Sequence, residues 1–214
     1  MLRIIIGNAF FGLLDLSVGG FIAYIAGITT GVTFNTFQYI AGSFLASSPD
    51  IDVAYMYLRK GRVYTNHHEF VTHRPIIGIP ICFLVCWAIG GTTWGIIGGI
   101  CVLWHYLHDT KDLFGGGIAL FWPFSRNYHS ILHKTVTPEE SAMNTEHNAT
   151  LDTIILRPGK KVVVETTAST IMLATVVGNT TNFAAAVAIA GFVWLNLICV
   201  WIIFKKRNEL DNIP

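Results

Sequence analysis

Six apolar stretches, at about 4–28, 33–48, 76–90, 93–108, 162–178 and 183–204, follow one another along a chain of 214 residues and leave little polar sequence to cover them. A soluble domain buries one or two such helices, not six in succession. The chain is 52% hydrophobic and 13% charged, so lipid rather than water is the solvent these stretches suit. Short uncharged breaks alternate with long charged loops between them. Thr29-Thr30-Gly31-Val32, Gly90-Gly91-Thr92-Thr93 and Gly178-Asn179-Thr180-Thr181-Asn182 have the Gly, Thr and Asn content of tight helix-to-helix turns. The expected fold is therefore all-α, a polytopic membrane helical bundle of four to six apolar segments arranged as hairpins. Residues 1–214 read as a single integral membrane domain, with 109–161 as a long cytoplasmic loop within it. Segments 33–48 and 76–90 fall short of the ~20 residues that cross a bilayer upright, which leaves the number of true spans between four and six.

Charge assigns the sides. Arg3, then Arg59, Lys60, Arg62 and Arg74, then Lys111 through Lys161, then Lys205, Lys206 and Arg207 all lie away from the short breaks. The positive-inside bias then puts both termini and both long loops in the cytoplasm of a prokaryotic-type cell, with the chain multi-pass in its inner membrane. A formal net charge of +1 provides no basic stripe to neutralise phosphates, so nucleic acid is not expected as the main partner. Membrane lipids are. Cys82, Cys86, Cys101 and Cys199 all sit in apolar stretches, where a thiol packs as a small hydrophobe, and no disulfide is expected.

Three polar clusters interrupt this apolar chain, each at a segment end. Ser47-Ser48-Pro49-Asp50-Ile51-Asp52 places two carboxylates beside a helix-stopping proline, where they offer hard oxygen ligands to a metal, although alone the fragment fits a helix cap or a solvated turn as well. His67-His68-Glu69-Phe70-Val71-Thr72-His73-Arg74 packs three histidines into seven residues before Pro75. Imidazole adds little apolar area and asks for partners on both ring nitrogens, which a metal supplies and an exposed polar loop does not need. Trp104-His105-Tyr106-Leu107-His108-Asp109 closes an apolar segment, with His105 and Asp109 an i, i+4 pair on one helix face. Ionisable groups there cost several kcal/mol unless paired. His108, about a hundred degrees round the helix from Asp109, is a candidate outer partner, and Asp112 a further candidate ligand. All three clusters fall on the cytoplasmic side of the charge-derived topology, so the fold can unite Asp50, Asp52, His68, His73, His105 and Asp109 without dragging loops across the bilayer. His129 and His133, four apart in the polar loop, fit an accessory metal pair or, more simply, a solvated surface. Gly115-Gly116-Gly117-Ile118 and Phe121-Trp122-Pro123-Phe124-Ser125 form a turn and an aromatic stretch suited to a membrane interface; the glycines lack the spacing of a phosphate-binding loop.

In order, Pro49-Asp50-Ile51-Asp52, His68 to Thr72-His73, His105 to Asp109, and Gly117 to Pro123 resemble the motifs of the YdjM/YbcI family of membrane-bound metal-dependent hydrolases, over about residues 1–130. Two features depart from that pattern. The family typically has an early Gly-His where this chain has Gly7-Asn8, and asparagine is a poorer Zn ligand than imidazole. It also tends to have Arg and Ser at the positions of Glu69 and Arg74. The family is similar in turn to the helical zinc-dependent phospholipase C and P1 nuclease group, which implies phosphoester cleavage.

Together these readings lead to an expected function: a membrane-embedded metal-dependent hydrolase, phosphoesterase-like, of a phosphoester and conceivably lipid substrate, with its site at the cytoplasmic membrane face. The expected cofactor is a divalent metal, Zn above others, on His68, His73, His105 and Asp109, with Asp50 and Asp52 as further ligands or as the base. Such a metal lowers the pKa of water and polarises a phosphoryl oxygen, while Arg74 or Lys111 steadies an anionic substrate. The alternatives are a metal-binding membrane transporter or scaffold, which would hold its ligands near the bilayer midplane, and a catalytically inactive relative, which Asn8 makes plausible. Oligomeric state is not legible.

Overall fold

The computed structural model describes residues 2–52, 55, 67–110, 117–131, 135–140 and 160–179, with side chains described from Leu14 in the first helix and, apart from Thr166, from Val164 in the last. The sixth apolar stretch, 183–204, lies outside them, as do Lys111, Asp112, Gly115, Gly116, His133 and the side chain of Asn8. Two compact units are present, one of residues 1–43 and 150–214 and one of residues 44–149.

The first unit is helical. Helix α1 (Leu2–Thr30) is followed by α2 (Thr36–Ala46), whose last residues belong to the second unit, and α4 (Lys160–Asn179) packs on α1. The chain reverses at Gly31, whose φ of 70° suits glycine. Downstream the two helices approach without side chains between them: a Cβ on Gly42 would lie 2.9 Å from the Ala23 methyl and 3.0 Å from the Gly19 carbonyl, and one on Gly20 would lie 2.7 Å from Ser43 Oγ. Small residues bring helix backbones close enough for dispersion to hold them where lipid provides no hydrophobic drive. Leu14, Val18 and Ala23 of α1 and Leu173 and Val176 of α4 are buried, together with Asp15, Ser17 and Ser169.

The second unit is built on α3 (Pro75–Asp109), the one described helical segment long and apolar enough to cross a membrane; Leu14–Thr30 is a shorter apolar helix. Pro75 opens α3 at a position that needs no N–H donor, and Arg74 before it is extended, as residues preceding proline must be. Although helical hydrogen bonding runs almost throughout, α3 is not a straight rod. Gly91 has φ 78° and ψ −172°, a conformation open only to glycine, and the chain turns back there. Residues far apart in sequence consequently meet: a Cβ on Gly98 would lie 2.6 Å from Cys86 Sγ, one on Gly95 would lie 3.0 Å from Trp87 Cβ, and one on Gly78 would collide with the Tyr106 hydroxyl. α3 is thus a hairpin with arms 75–90 and 92–109, rising about 24 and 27 Å. Its outward side chains are apolar, with Leu84, Val85, Trp87, Ile89, Ile96, Ile100, Leu103 and Leu107 all exposed, while polar side chains gather at its open end.

Segment 117–131, part of the long polar loop, folds back under that open end. Ile118 pairs with His129 and Tyr128 with Val136 in isolated bridges, while Ile131 N–H and Ser130 Oγ both donate to the Thr110 carbonyl at 2.8 Å. Ile118 is fully buried against Val102 and Tyr106, and Ile79, Cys82 and Leu120 close this small core.

Candidate metal centre

Four short pieces of chain deliver the polar residues. Pro49 starts the one-turn 3₁₀ helix Ser48–Asp50, beyond which the chain winds on through Asp52. Two more 3₁₀ turns, His67–Glu69 and Val71–His73, carry His68 and His73, and the end of α3 carries His105 and Asp109. Tight turns keep each side chain within a few residues of a packed anchor. His68, His73, His105 and Asp52 are buried, Asp109 nearly so, and the Asp50 side chain is 35% exposed.

The donors converge. His105 Nε2 lies 3.4 Å from His73 Nε2 and 3.2 Å from Asp109 Oδ2, and His73 Nε2 lies 3.5 Å from the same carboxylate oxygen. Asp50 Oδ1 is 3.6 Å from both of these Nε2 atoms, and His68 Nε2 is 3.7 Å from Asp109 Oδ2. Asp50, His73 and His105 form one three-donor group within 4.8 Å, and His68, His73 and Asp109 form another. Four donors about 2.0–2.1 Å from a tetrahedral Zn ion sit about 3.3 Å apart, so the His73–His105–Asp109 triangle has the edge length such an ion requires.

For His73 and His68 the other ring nitrogen shows which atom faces the centre. His73 Nδ1 is 3.0 Å from Asp52 Oδ2, which also accepts from Thr72 Oγ1 at 2.6 Å; a carboxylate only accepts, so Nδ1 carries the proton and Nε2 presents its lone pair. His68 Nδ1 donates in the same way to the Gly117 carbonyl at 2.9 Å. Asp109 Oδ2, by contrast, is buried with no hydrogen-bond partner although three imidazole Nε2 atoms surround it. Lone pairs and carboxylates pointed at one another repel unless a cation lies between them. The field of the cluster points the same way. Burial works against protonation of His73, but its bonds to the Asp50 and Asp52 carboxylates and the charge of Asp109 outweigh that and raise its pKa above the ordinary histidine value. The donor set of imidazoles and carboxylates suits Zn, and its fit rests on the orphaned Asp109 oxygen and the spacing.

Asp50, His68, His73, His105 and Asp109 are thus brought together, with Asp52 one step behind His73. Arg74 is placed otherwise: Nη2 donates to the Glu69 carbonyl at 3.0 Å, and the guanidinium stands 5.9 Å over the Tyr128 ring. Burial raises the Tyr128 phenol against the opposing pull of Arg74. His108 stacks on Trp104, and His129 meets Phe121 edge-on and Thr135 Oγ1 at 3.3 Å. Two contributors were not legible as such. Tyr106, next to His105, donates to the Thr72 carbonyl at 2.7 Å and ties the 3₁₀ turn carrying His73 to α3. Gly117 supplies the carbonyl for His68 with φ 85°, where a side chain would run into the His129 carbonyl; the sequence marked Gly117 as part of a turn and of a family-like motif but gave its carbonyl no role.

No curated protein and no solved structure is significantly similar to the chain. The model of one family, described as the YdjM inner membrane protein, matches residues 15–208 and so includes every member of the His/Asp cluster. By that match, over most of its length, the chain belongs to the YdjM inner membrane protein family.

Proposed function

We propose that the chain is a polytopic membrane hydrolase that uses one divalent metal ion, Zn by its donor set, to cleave a phosphoester at the cytoplasmic membrane face. The observation that carries this reading is the triangle of His73 Nε2, His105 Nε2 and Asp109 Oδ2, with edges of 3.2–3.5 Å. Two histidines and a carboxylate are a donor set that catalytic zinc sites use, and Asp50 and His68 stand beside it as further groups. A single lone pair on His73 Nε2 serves one ion, which favours one metal over a pair sharing that residue.

A divalent ion supplies a Lewis acid that polarises a phosphoryl oxygen and makes water acidic near neutral pH. The chain supplies the rest. Asp50, the most exposed carboxylate of the cluster and 3.6 Å from both His73 and His105, takes the proton from the attacking water. Asp52 holds His73 in the tautomer and orientation that present Nε2, and Gly117 does the same for His68. Arg74, proposed on sequence grounds to meet an anionic substrate, is better supported as the anchor of segment 117–131 through Tyr128. The donors lie at the open end of the α3 hairpin, opposite the Gly91 turn, which supports an enzyme at the membrane face over a carrier with ligands at mid-bilayer. The Lys and Arg distribution supports a cytoplasmic location for that end and for both termini.

The test is hydrolysis of a chromogenic phosphodiester by the purified full-length protein in mild detergent. Turnover abolished by a chelator, restored by Zn and lost in Asp50→Asn with metal still bound is the expected result. A metal-loaded protein inert toward phosphomonoesters and phosphodiesters alike refutes the hydrolase.

A further inference from the structure

Beside the His/Asp cluster, along the first arm of α3, runs a groove of about 360 Å³ that the reaction proposed above leaves unused. Among the described residues, no charged side chain lines it. Its walls along the membrane helix are Ile77, Ile81, Cys82 and Val85, faced by Val102 of the second arm and Leu45 from the end of α2. The hydroxyl-bearing residues of the lining are Ser48, Thr72 and Tyr106, and these mark the end next to the cluster. Thr72 immediately precedes His73 and donates to Asp52, and the Tyr106 ring stands 6.4 Å from the His73 ring and 6.2 Å from that of His105. From Ile77 to Cys86 the arm rises about 13 Å, so the lining is polar where it meets the candidate metal and apolar for several turns of helix beyond.

We infer that this groove holds a hydrocarbon chain of a membrane lipid whose phosphate-bearing head is presented to the His/Asp cluster. The head end rests on the hydrolase reading; the chain end rests on the groove alone. The lining selects the occupant. An extended peptide would bring N–H and C=O groups to a wall with no donors or acceptors to meet them beyond its hydroxyl end, whereas a hydrocarbon chain needs none. Access fits as well: Ile81, Leu84 and Val85 are each more than half exposed on the outer side of this arm, so a chain slides in sideways from lipid without crossing water. Gly78 shapes the junction between head and chain. Without a side chain there, the Tyr106 hydroxyl lies against the arm and reaches the Thr72 carbonyl.

The experiment uses full-length protein in nanodiscs doped with a phosphatidic acid whose acyl chain ends in a diazirine, irradiated, digested and mapped by mass spectrometry. Labelling is expected to concentrate at Ile81, Val85 and their groove neighbours over the outward Ile96, Ile100 and Leu103 of the other arm, and to fall when unlabelled phosphatidic acid is in excess. Ile81→Trp and Val85→Trp, each filling the groove, should lower the groove label, while Leu103→Trp should not. Label spread evenly over both arms, or a groove label indifferent to both tryptophans and to competitor, overturns the inference. Metal content measured on the same samples keeps the two readings apart. Metal-free protein with a displaceable groove label supports the chain site and counts against the hydrolase, and metal-loaded protein without that label overturns the chain site alone.

Discussion

At the scale of single residues, the cluster separates groups that could touch an ion from groups that would aim them. Asp52 was among the candidate ligands in the sequence, since Asp50-Ile51-Asp52 offers two carboxylates with nothing to rank them. Folding ranks them by burying Asp52 against Thr72 and His73 and leaving Asp50 partly open. Asp52→Asn should therefore lower Zn affinity about 10–100-fold without changing the stoichiometry at saturating metal, the usual cost of losing a carboxylate behind a ligating histidine. Competition with a chromophoric chelator measures it. An Asp52→Asn protein unable to bind Zn at any concentration would make Asp52 a direct ligand. That the five histidine and aspartate side chains of α3 and the 3₁₀ turns, Asp50, His68, His73, His105 and Asp109, would gather was legible, because ionisable groups at the ends of apolar segments have few structural excuses. The Gly117 carbonyl was not, because a backbone acceptor leaves no mark in a sequence.

At the scale of elements, two of the three positive-φ glycines, Gly91 and Gly117, bear on the site. Gly91 adopts φ 78°, ψ −172° between the arms of α3, so Gly91→Val should destabilise the protein by about 1–3 kcal/mol, read as a lower thermal midpoint in detergent, while Gly99→Ala, with only ordinary contacts around it, should be nearly neutral. Similar losses for the two would contradict a turn at Gly91. Gly117→Ala should act elsewhere. Its Cβ would strike the His129 carbonyl, so segment 117–131 must shift and His68 lose its acceptor; faster amide exchange in that segment and weaker metal binding are expected, with the α3 arms unaffected. The break Gly90-Gly91-Thr92-Thr93 announced the first of these features, since glycine and threonine between two apolar runs have a mechanical meaning. The return of 117–131 beneath the site had no such announcement. It is held by isolated bridges and by hydrogen bonds to the Thr110 carbonyl, contacts that depend on tertiary neighbours and not on local propensity.

At the scale of the whole molecule, the chain is mostly apolar, and the second unit gathers its described His and Asp side chains at the open end of the α3 hairpin. The apolar runs and the polar clusters at their ends made that much readable, whereas the groove beside the site was not, because residues 45–49, 71–72 and the α3 arm meet only in the fold. A proton and a metal would compete for His73. With its pKa raised in the folded state, His73 adds stability in the metal-free protein that is fully present below the ordinary histidine value of 6.5 and is lost as pH rises through the folded value. Chelator-treated protein should therefore melt at a lower temperature as pH climbs above about 6.5, whereas Zn, which needs a neutral imidazole, should stabilise most strongly in the same range. Parallel pH trends with and without Zn would remove His73 from the metal site. The central claim, that the cluster binds a metal, is tested most directly by elemental mass spectrometry on wild type and on a His73→Ala/His105→Ala variant, both purified in mild detergent without chelator. About one Zn per chain in the wild type and none in the variant is the predicted result. A folded wild type that carries no metal and takes up none on titration would contradict it.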